Sequence, residues 1–596
     1  MSHMAEERAV DVVVLGSGAA GLAGALRAAL LGYDVVVLEK SDVWGGSAAM
    51  SAGAVWVPNN AKMGEVGIAD SDEDAWAYLE AVTEGAVPAE KRRAFIDGAN
   101  RMIGTFERET QVRFEPVREY PDYDTDKPGA KPGGRPLEPL PFDGDLLGED
   151  FATLHPCYPG ELIFDRFMMR LAEARALLQP GITPKLGLLR GLWQYALRSR
   201  SRRRWHGRDP YLTLGQALMA RLRAELKTRG VPVRLNTEVR RLLVGASEAT
   251  GSTTGASEAT GSTTDDGRVA GVELASGERI LARAGVLVAT GGFERNDDMR
   301  QRYQHHPVEA GWTVGHVGNT GDGLMLAEQA GAVLDTDMMH NCWWSPAVVP
   351  PGEPTARVLV IEKSLPYGFF VDRDGRRFVN EAGNYNNIGK AMYAAQAKTG
   401  MAVPAWMIFD SRYRRKFPIG PVKPGMLQPD RKVPERLRPG NGWLHKADTL
   451  DALATGIGIP AANLAESVAR FNGFAYSGRD LDFGRGSTLN DLHYSDPRVT
   501  PNPSLGPIEK APFYAVEVVP GDLGTKAGLR TDIAGRVLDA GGAPITGLYA
   551  AGNVTTSVMG GSYPGAGGTL APAMTFAFLA VEAMSTDVGT ARSRSH

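Results

Sequence analysis

Cysteine is almost missing from this chain of 596 residues: there are two, Cys157 and Cys342. Two distant thiols can build neither a disulfide framework nor a structural zinc site, and such a composition fits a reducing, cytoplasmic compartment. A basic excess is also missing. Lys and Arg number 65 against 69 Asp and Glu, for a formal net charge of −4, so no overall positive field is available to hold a nucleic-acid backbone. Long apolar runs are absent too: the longest uncharged stretch, Ala540 to Val581, is broken by glycines and three prolines and fails as a spanning helix. The N-terminus shows no basic segment followed by an apolar one, so no signal peptide is expected.

What remains is an ordinary globular composition, 43% hydrophobic and 22% charged, in a chain too long for one hydrophobic core. Glycine is in excess, with 72 residues, and the excess falls in short clusters. Val10–Leu15 reads as a buried strand, Gly16-Ser17-Gly18-Ala19-Ala20-Gly21 as a tight turn, the Ala/Leu-rich run through Leu31 as a helix, and Asp34–Leu38 as a second strand ending in Glu39. This is a βαβ unit whose glycines let backbone approach a pyrophosphate at a helix N-terminus, with Glu39 placed to accept hydrogen bonds from an adenosine ribose. A lone glycine motif is a common strand–helix turn; here strand, loop, helix, second strand and terminal acid fall in register.

A second glycine cluster, Trp44-Gly45-Gly46-Ser47, follows at once, which favours the longer FAD over NAD. Val286–Phe293 (with Ala289, Thr290 and Gly291) and Gly547–Asn553 repeat the strand-into-glycine pattern near residue 290 and near the C-terminus. Both ends of the chain therefore serve one cofactor, and its domain must be discontinuous. The expected fold is α/β and α+β: a Rossmann-like, glutathione-reductase-type FAD-binding domain at 5–340 and 525–590, with a helical insertion at about 140–230. A catalytic capping domain, rich in Trp, Tyr and Pro, is expected at 341–524, and the substrate pocket at the boundary. A perfect tandem repeat, Gly245–Thr254 and Gly255–Thr264, reads as a disordered hairpin tip within 245–266. Leu188, Leu189, Leu192, Trp193 and Ala196 recur at helical spacing before Arg198–Trp205. Such a basic amphipathic stretch suits peripheral contact with an anionic membrane, although a core-facing helix with a solvated basic end is the preferred reading.

Taken together, Gly16–Gly21, Glu39-Lys40, Gly45-Gly46-Ser47, Gly318–Gly323 and Gly547–Asn553 resemble the fumarate reductase/succinate dehydrogenase flavoprotein superfamily. Within it, Tyr120-Pro121-Asp122-Tyr123, Asn380–Tyr385 and Ser562–Thr569 resemble the 3-ketosteroid Δ1-dehydrogenases, and the resemblance runs over nearly the whole chain. It implies that FAD, held non-covalently, is bound by Gly16, Ser17, Gly18, Ala19, Ala20, Gly21, Glu39, Lys40, Gly45, Gly46, Ser47, Val239, Ala289, Thr290, Gly291, Asn319, Gly321, Asp322, Gly552, Asn553, Gly568, Thr569 and Leu570. It also implies desaturation of a 3-ketosteroid such as androst-4-ene-3,17-dione. Tyr563 O–H and the Gly567 N–H would hold the C3 oxygen, Tyr385 would take the C2 proton, and Tyr123 would assist Tyr385. The family's adjacent second tyrosine is Asp124 here, so Tyr120 is the alternative partner; Tyr367 and Tyr393 are controls.

The residues themselves support this branch. A fumarate-type site needs cations to orient a dicarboxylate, and no charge occurs from Ala540 to Val581, so a neutral, apolar substrate is expected. A 3-ketosteroid Δ4-(5α)-dehydrogenase is the nearest alternative, followed by a fumarate- or urocanate-type reductase and by a non-catalytic flavoprotein. With no second Rossmann fingerprint, electrons are expected to leave to a quinone or another carrier.

Overall fold

In the computed structural model, residues 7–158, 162–163, 167–171, 173, 209–245, 267–335, 340 and 342–594 are described. The stretch 188–205 and the tandem repeat beyond Gly245 lie outside them. Of the expected helical insertion, the helical turn Gly144–Phe151 and the helix Leu214–Thr228 are described.

An eight-stranded sheet forms the base. Its centre is the strand Glu7–Leu15, where Val10, Val12, Val13 and Val14 are fully buried, as expected of a parallel strand covered on both faces. Val35–Leu38 and Arg279–Val288 flank it in parallel, Val233–Arg234 extends one edge, and Pro544–Ala550 joins Arg279–Val288 in parallel from the far end of the sequence. The hairpin Val239–Val244 with Val269–Leu274 and the short strand Arg536–Leu538 complete it in antiparallel fashion. Register matters here. Leu15 aligns with Leu38 and Val288, and Val288 aligns with Ala550, so the C-terminal ends of four parallel strands lie level. The glycine turns that follow therefore share one rim, the position where open α/β sheets bind ligands.

Three helices cover one face. Ala19–Leu30, Ala89–Glu109 and Leu570–Arg594 share one buried apolar cluster. Close approach is permitted by glycine: a Cβ at Gly24 would sit 2.4 Å from Leu287 Cδ2, and one at Gly98 would sit 2.9 Å from Thr575 Cγ2. Arg27 pairs with Glu582 at 2.8 Å along this seam.

Residues 342–525 build a second, antiparallel sheet of six strands around the long strand Phe513–Thr525. That strand pairs with Cys342–Val348 over one half and with Ala405–Asp410 and Leu444–Ala447 over the other. The helix Tyr385–Thr399 lies on it, with Gly389 so close to Trp344 that an added Cβ would meet the Trp344 Cβ at 2.3 Å. The fully buried pair Arg300–Asp522, at 2.8 Å, ties this sheet to the helix Asp297–Tyr303 that follows the strand Arg279–Val288. A three-stranded sheet, Val55–Trp56, Pro136–Pro139 and Phe114–Pro116, frames the segment that carries Tyr120 and Tyr123. The architecture is the mixed α/β and α+β one expected, with a sheet drawn from both ends of the chain.

Candidate functional site

The rim of the first sheet carries the turns and donors that a bound FAD needs. Gly16 takes φ +98° and packs so tightly that a Cβ would strike Ala289 O at 2.5 Å, while nothing lies within 4 Å of a Cβ at Gly18. Backbone is thus buried on one side of the turn and open on the other. Gly18 caps the helix Ala19–Leu30 without a side-chain bond, leaving its first-turn N–H groups for an anion. The second glycine turn faces the first, Gly46 lying 3.7 Å from Gly18 Cα at Cβ distance, and Gly45 N–H donates to Ser17 Oγ at 3.1 Å. Glu39 accepts from Ser17 N–H at 3.0 Å, Ser17 O–H at 2.6 Å and Ser41 N–H at 3.0 Å; its remaining lone pairs suit ribose hydroxyls.

Sequence-distant members join the same rim. Lys40 bonds Thr320 Oγ1 at 2.7 Å and pairs with Asp322. Asn319 donates to Ser47 Oγ at 3.1 Å and lies against Gly291, which takes φ +80°. Thr237 N–H donates to Glu39 O at 2.8 Å, setting the start of the strand Val239–Val244 beside the acid. Gly321 caps the helix Asp322–Gln329. Thr290 Oγ1 is buried with no partner, an orphan that a ligand would satisfy. Gly552 lies 3.3 Å at Cβ distance from Ala20 Cβ, Asn553 accepts from Trp343 Nε1–H at 3.2 Å, and Gly568, Thr569 and Leu570 lead into the last helix. The donor set and the glycine cradle fit a dinucleotide.

Beside this rim, three tyrosines from three parts of the chain meet. The rings of Tyr123, Tyr385 and Tyr563 lie 5.1, 5.2 and 5.3 Å apart, pairwise edge-on, an arrangement favoured by ring quadrupoles. Tyr123 Oη is 3.1 Å from Tyr385 Oη. Trp343 closes the group at 4.9 Å from Tyr563. All four side chains are buried.

Each tyrosine is held from behind. Asn384 caps the helix Tyr385–Thr399, its Oδ1 accepting from Asn386 N–H at 3.0 Å, so Tyr385 occupies the first helical position. The same Asn384 donates to Tyr563 O at 3.1 Å and Asp124 Oδ2 at 3.0 Å, coupling all three tyrosine-bearing segments. Buried Glu381, paired with Arg377 at 2.8 Å and Arg485 at 3.1 Å, anchors the approach. Tyr123 N–H donates to Pro564 O at 2.9 Å. Its neighbour Asp122 is bonded by Arg135 at 2.7 Å and by Trp56 Nε1–H at 2.8 Å, with Arg135 and Asp122 fully buried at the side chain; removing one partner of such a pair costs about 3–5 kcal/mol. Gly567 takes φ +95° with its Cα against Ala54 and Trp56, and the Gly568 Cβ position lies 3.0 Å from the Tyr563 ring. The 567–568 backbone and the Tyr563 phenol therefore share one wall.

Burial pushes the Tyr385 and Tyr123 phenols well above the usual tyrosine range, with nearby phenols adding to the rise and the bond from Tyr123 opposing it at Tyr385. Tyr563 is also raised by burial, partly offset by hydrogen bonds from Tyr385 and Thr569. Burial thus keeps Tyr563 a neutral donor, while the bond from Tyr123 is what eases ionisation of Tyr385.

The two candidate partners of Tyr385 are not equivalent: Tyr123 contacts it directly, whereas Tyr120 contacts Tyr123 at 3.5 Å. The controls stand apart, Tyr393 bonding Pro307 O at 3.1 Å and Tyr367 lying under Arg412 at 4.5 Å. Cys342 is buried against Gly524 O, and Cys157 is half-buried.

Sequence reasoning missed Asn384, Trp343 and Lys526. Asn384 was legible as a helix cap; Lys526 carries no local signal. The chain is uncharged from Ala540 to Val581, yet folding brings the fully buried Lys526 ammonium to 2.7 Å from Ser562 O and 4.4 Å from the Trp343 ring. Among the described residues no carboxylate pairs with it. Burial and the nearby Lys390 hold its pKa well below the usual lysine range.

A model of the FAD binding domain family matches residues 11–570. A 3-oxosteroid 1-dehydrogenase of Mycolicibacterium smegmatis is 41% identical over 96% of this chain and 96% of its own length. A 4-oxocyclohexanecarboxylate 2-dehydrogenase of Sinomonas cyclohexanicum is 37% identical over 96% of this chain and 92% of its own. The crystal structure of 3-ketosteroid Δ1-dehydrogenase from Sterolibacterium denitrificans, in complex with 1,4-androstadiene-3,17-dione, superposes with a TM-score of 0.89 at 40% identity, covering 97% of this chain and all of that one. No described helix is long and apolar enough to cross a membrane. With a glycine rim shaped for the dinucleotide and relatives matched end to end, the chain belongs to the FAD-binding flavoprotein family that includes the 3-oxosteroid 1-dehydrogenases.

Proposed function

We propose that this protein introduces a double bond between C1 and C2 of 3-ketosteroids, with the roles assigned to Tyr385, Tyr123, Tyr563 and Gly567 above. The observation that carries the reading is the meeting of Tyr123, Tyr385 and Tyr563 in one buried cluster beside the glycine rim. Desaturation next to a ketone develops negative charge on the carbonyl oxygen, and donors aimed there are the largest catalytic contribution. Tyr563 O–H supplies one; the Gly567 N–H, which no acceptor takes among the described residues, supplies the other. Tyr385 Oη, hydrogen-bonded to Tyr123, receives the C2 proton. The glycine rim holds FAD through the residues named above, and bound FAD supplies the two-electron oxidant that accepts the C1 hydride. The buried phenols and Trp343 offer a face suited to a neutral ring and exclude water from it.

We assign the cofactor domain to 5–340 and 525–590 and the catalytic domain to 341–524, supported by the separate sheets. A quinone or another carrier is the proposed acceptor, and two cysteines that form no disulfide fit a cytoplasmic setting. Lys526 favours a second reading, a single-ring ketone bearing a carboxylate, because it places behind Ser562 a buried amine that an anionic substrate would favour in its charged form. Anaerobic titration with androst-4-ene-3,17-dione, in parallel with 4-oxocyclohexanecarboxylate, tests both. The steroid should bleach the flavin and yield the 1,4-diene; bleaching by the carboxylate alone would reverse the assignment.

A further inference from the structure

Asp124 stands where the family's motif has a second tyrosine. Both of its carboxylate oxygens reach the first turn of the helix Tyr385–Thr399: Oδ2 accepts from Asn384 Nδ2–H at 3.0 Å and Oδ1 from Asn387 Nδ2–H at 3.0 Å. Asn384 has no freedom to turn over. Its Oδ1 accepts from Asn386 N–H at 3.0 Å, and its Nδ2 also donates to Tyr563 O at 3.1 Å. Asp124 Oδ2 must therefore remain an acceptor. On the other side, Asp124 N–H donates to Tyr78 Oη at 3.3 Å, and Tyr78 O–H donates to Pro564 O at 2.7 Å. One half-buried carboxylate thus joins the loop of Tyr123 to the helix that begins at Tyr385, and both of its routes end on the backbone at 563–564.

A carboxylate suits this place better than a neutral group. It faces the positive end of a helix, and hydrogen bonds to an ionised acceptor are roughly twice as strong as neutral ones. The charged and titratable groups around it are Asp126 and Lys127 from its own loop, Lys390 from the second turn of the helix and Tyr78 from the helix Asp72–Thr83. Burial pushes its pKa up to about 6; the Asn384 bond, Lys127 and Lys390 oppose the rise, and Asp126 adds to it. Its oxygens point at amides, so it acts through Asn384 and on no reacting atom.

We propose that Asp124 is a positioning residue for the desaturation: as a carboxylate it clamps the Tyr123 loop to the first turn of the Tyr385 helix and so sets Tyr385 Oη in place. The inference rests on the proposed function. Tyr385 sits at a helix end, where no preceding turn restrains it, and its 3.1 Å contact with Tyr123 joins segments 262 residues apart. The clamp is the tie between the two backbones that carry this contact.

The test is Asp124→Ala in the FAD-loaded protein, with kcat and KM for androst-4-ene-3,17-dione measured from pH 5 to 9. Loss of the clamp should lower kcat by about 10–10²-fold, the size expected of a displacement up to about 1 Å, with KM unchanged. Wild-type kcat should rise as pH passes about 6 and Asp124 ionises, and this acid limb should vanish in Asp124→Ala. Asp124→Asn should recover most of kcat and show no limb, since its Oδ1 still accepts from Asn384 and its Nδ2 can donate to Asn387, whose exposed amide is free to flip. A role in packing alone would not remove the limb. Should Asp124→Ala lose its flavin, Asn387→Ala removes one partner from the exposed side; it should lower kcat and move the limb to higher pH, because the carboxylate loses a donor. Wild-type kcat in either alanine variant, a loss carried by KM, or a limb that survives in Asp124→Ala would overturn the clamp. If wild type forms no diene, the proposed function fails; diene from wild type with an unaffected variant refutes the clamp alone.

Discussion

Replacing Gly567 with alanine probes the donor wall with a change whose size the structure sets. At φ +95° a Cβ would lie 2.4 Å from Ala54 O, 2.6 Å from Ala54 C and 2.6 Å from Trp56 N. All three are backbone atoms, and the strand Val55–Trp56, which carries one of them and directly follows Ala54, is paired with Pro136–Pro139, so they cannot rotate aside. The unfavourable dihedral alone costs about 1–3 kcal/mol. Relief of the contacts requires the 564–570 segment to move by about 0.5–1 Å, and misplacement of that order costs roughly 10²-fold in rate. Gly567→Ala should therefore lower kcat by about 10²-fold and lower Tm. The assay is steady-state dehydrogenation with an artificial electron acceptor, with flavin content read from its absorbance. Gly561→Ala is the control, since its methyl would meet the far end of the flexible Lys390 side chain at 3.2 Å and lie in ordinary contact with His340 Cβ at 3.6 Å, and it should keep near wild-type turnover. Unchanged kcat and Tm in Gly567→Ala would show that this amide is not held where the argument puts it.

Tyr563→Phe should reduce turnover by roughly 10²–10³-fold with FAD retained, and wild-type turnover would end its assignment as oxyanion donor. Tyr385→Phe should abolish both dehydrogenation and C2 exchange; a variant that still exchanges deuterium would point to a different base. Glu39→Ala should release FAD on gel filtration, because the acid organises Ser17 and Ser41 at the ribose end, and full flavin content after purification would argue against that role. Glu294 is fully buried near Asp522, and burial pushes its pKa up to about 7. Its proton stabilises the fold fully below pH about 4.5, and that stability, on the order of 3 kcal/mol, is lost as pH rises through about 7. Urea midpoints of the wild-type protein should accordingly decline between pH 5 and 8 more steeply than those of Glu294→Gln, and parallel profiles would refute the buried-proton account.

The cofactor rim was legible because its signals are local. A valine-rich run, a glycine at positive φ and an acid at the next strand end are each dictated by a few neighbouring residues, and the observed strands Glu7–Leu15 and Val35–Leu38 lie within a few residues of those expected. The helix start at Tyr385 also carries a local signal, the Asn384 cap. The choice between Tyr120 and Tyr123 was not, since both lie in one loop and only the direction of each ring decides which meets Tyr385.

By itself the sequence settled that the chain places glycine turns at strand ends and carries FAD chemistry drawn from both ends of the chain, because each follows from short-range backbone and side-chain preference. Tertiary structure alone decided that residues 123, 385 and 563 form one cluster, that Asp124 meets Asn384 and Asn387, and that Lys526 sits behind an otherwise uncharged segment. Those contacts join parts of the chain separated by tens to hundreds of residues, and their geometry comes from how two sheets and their helices exclude water together rather than from any local pattern.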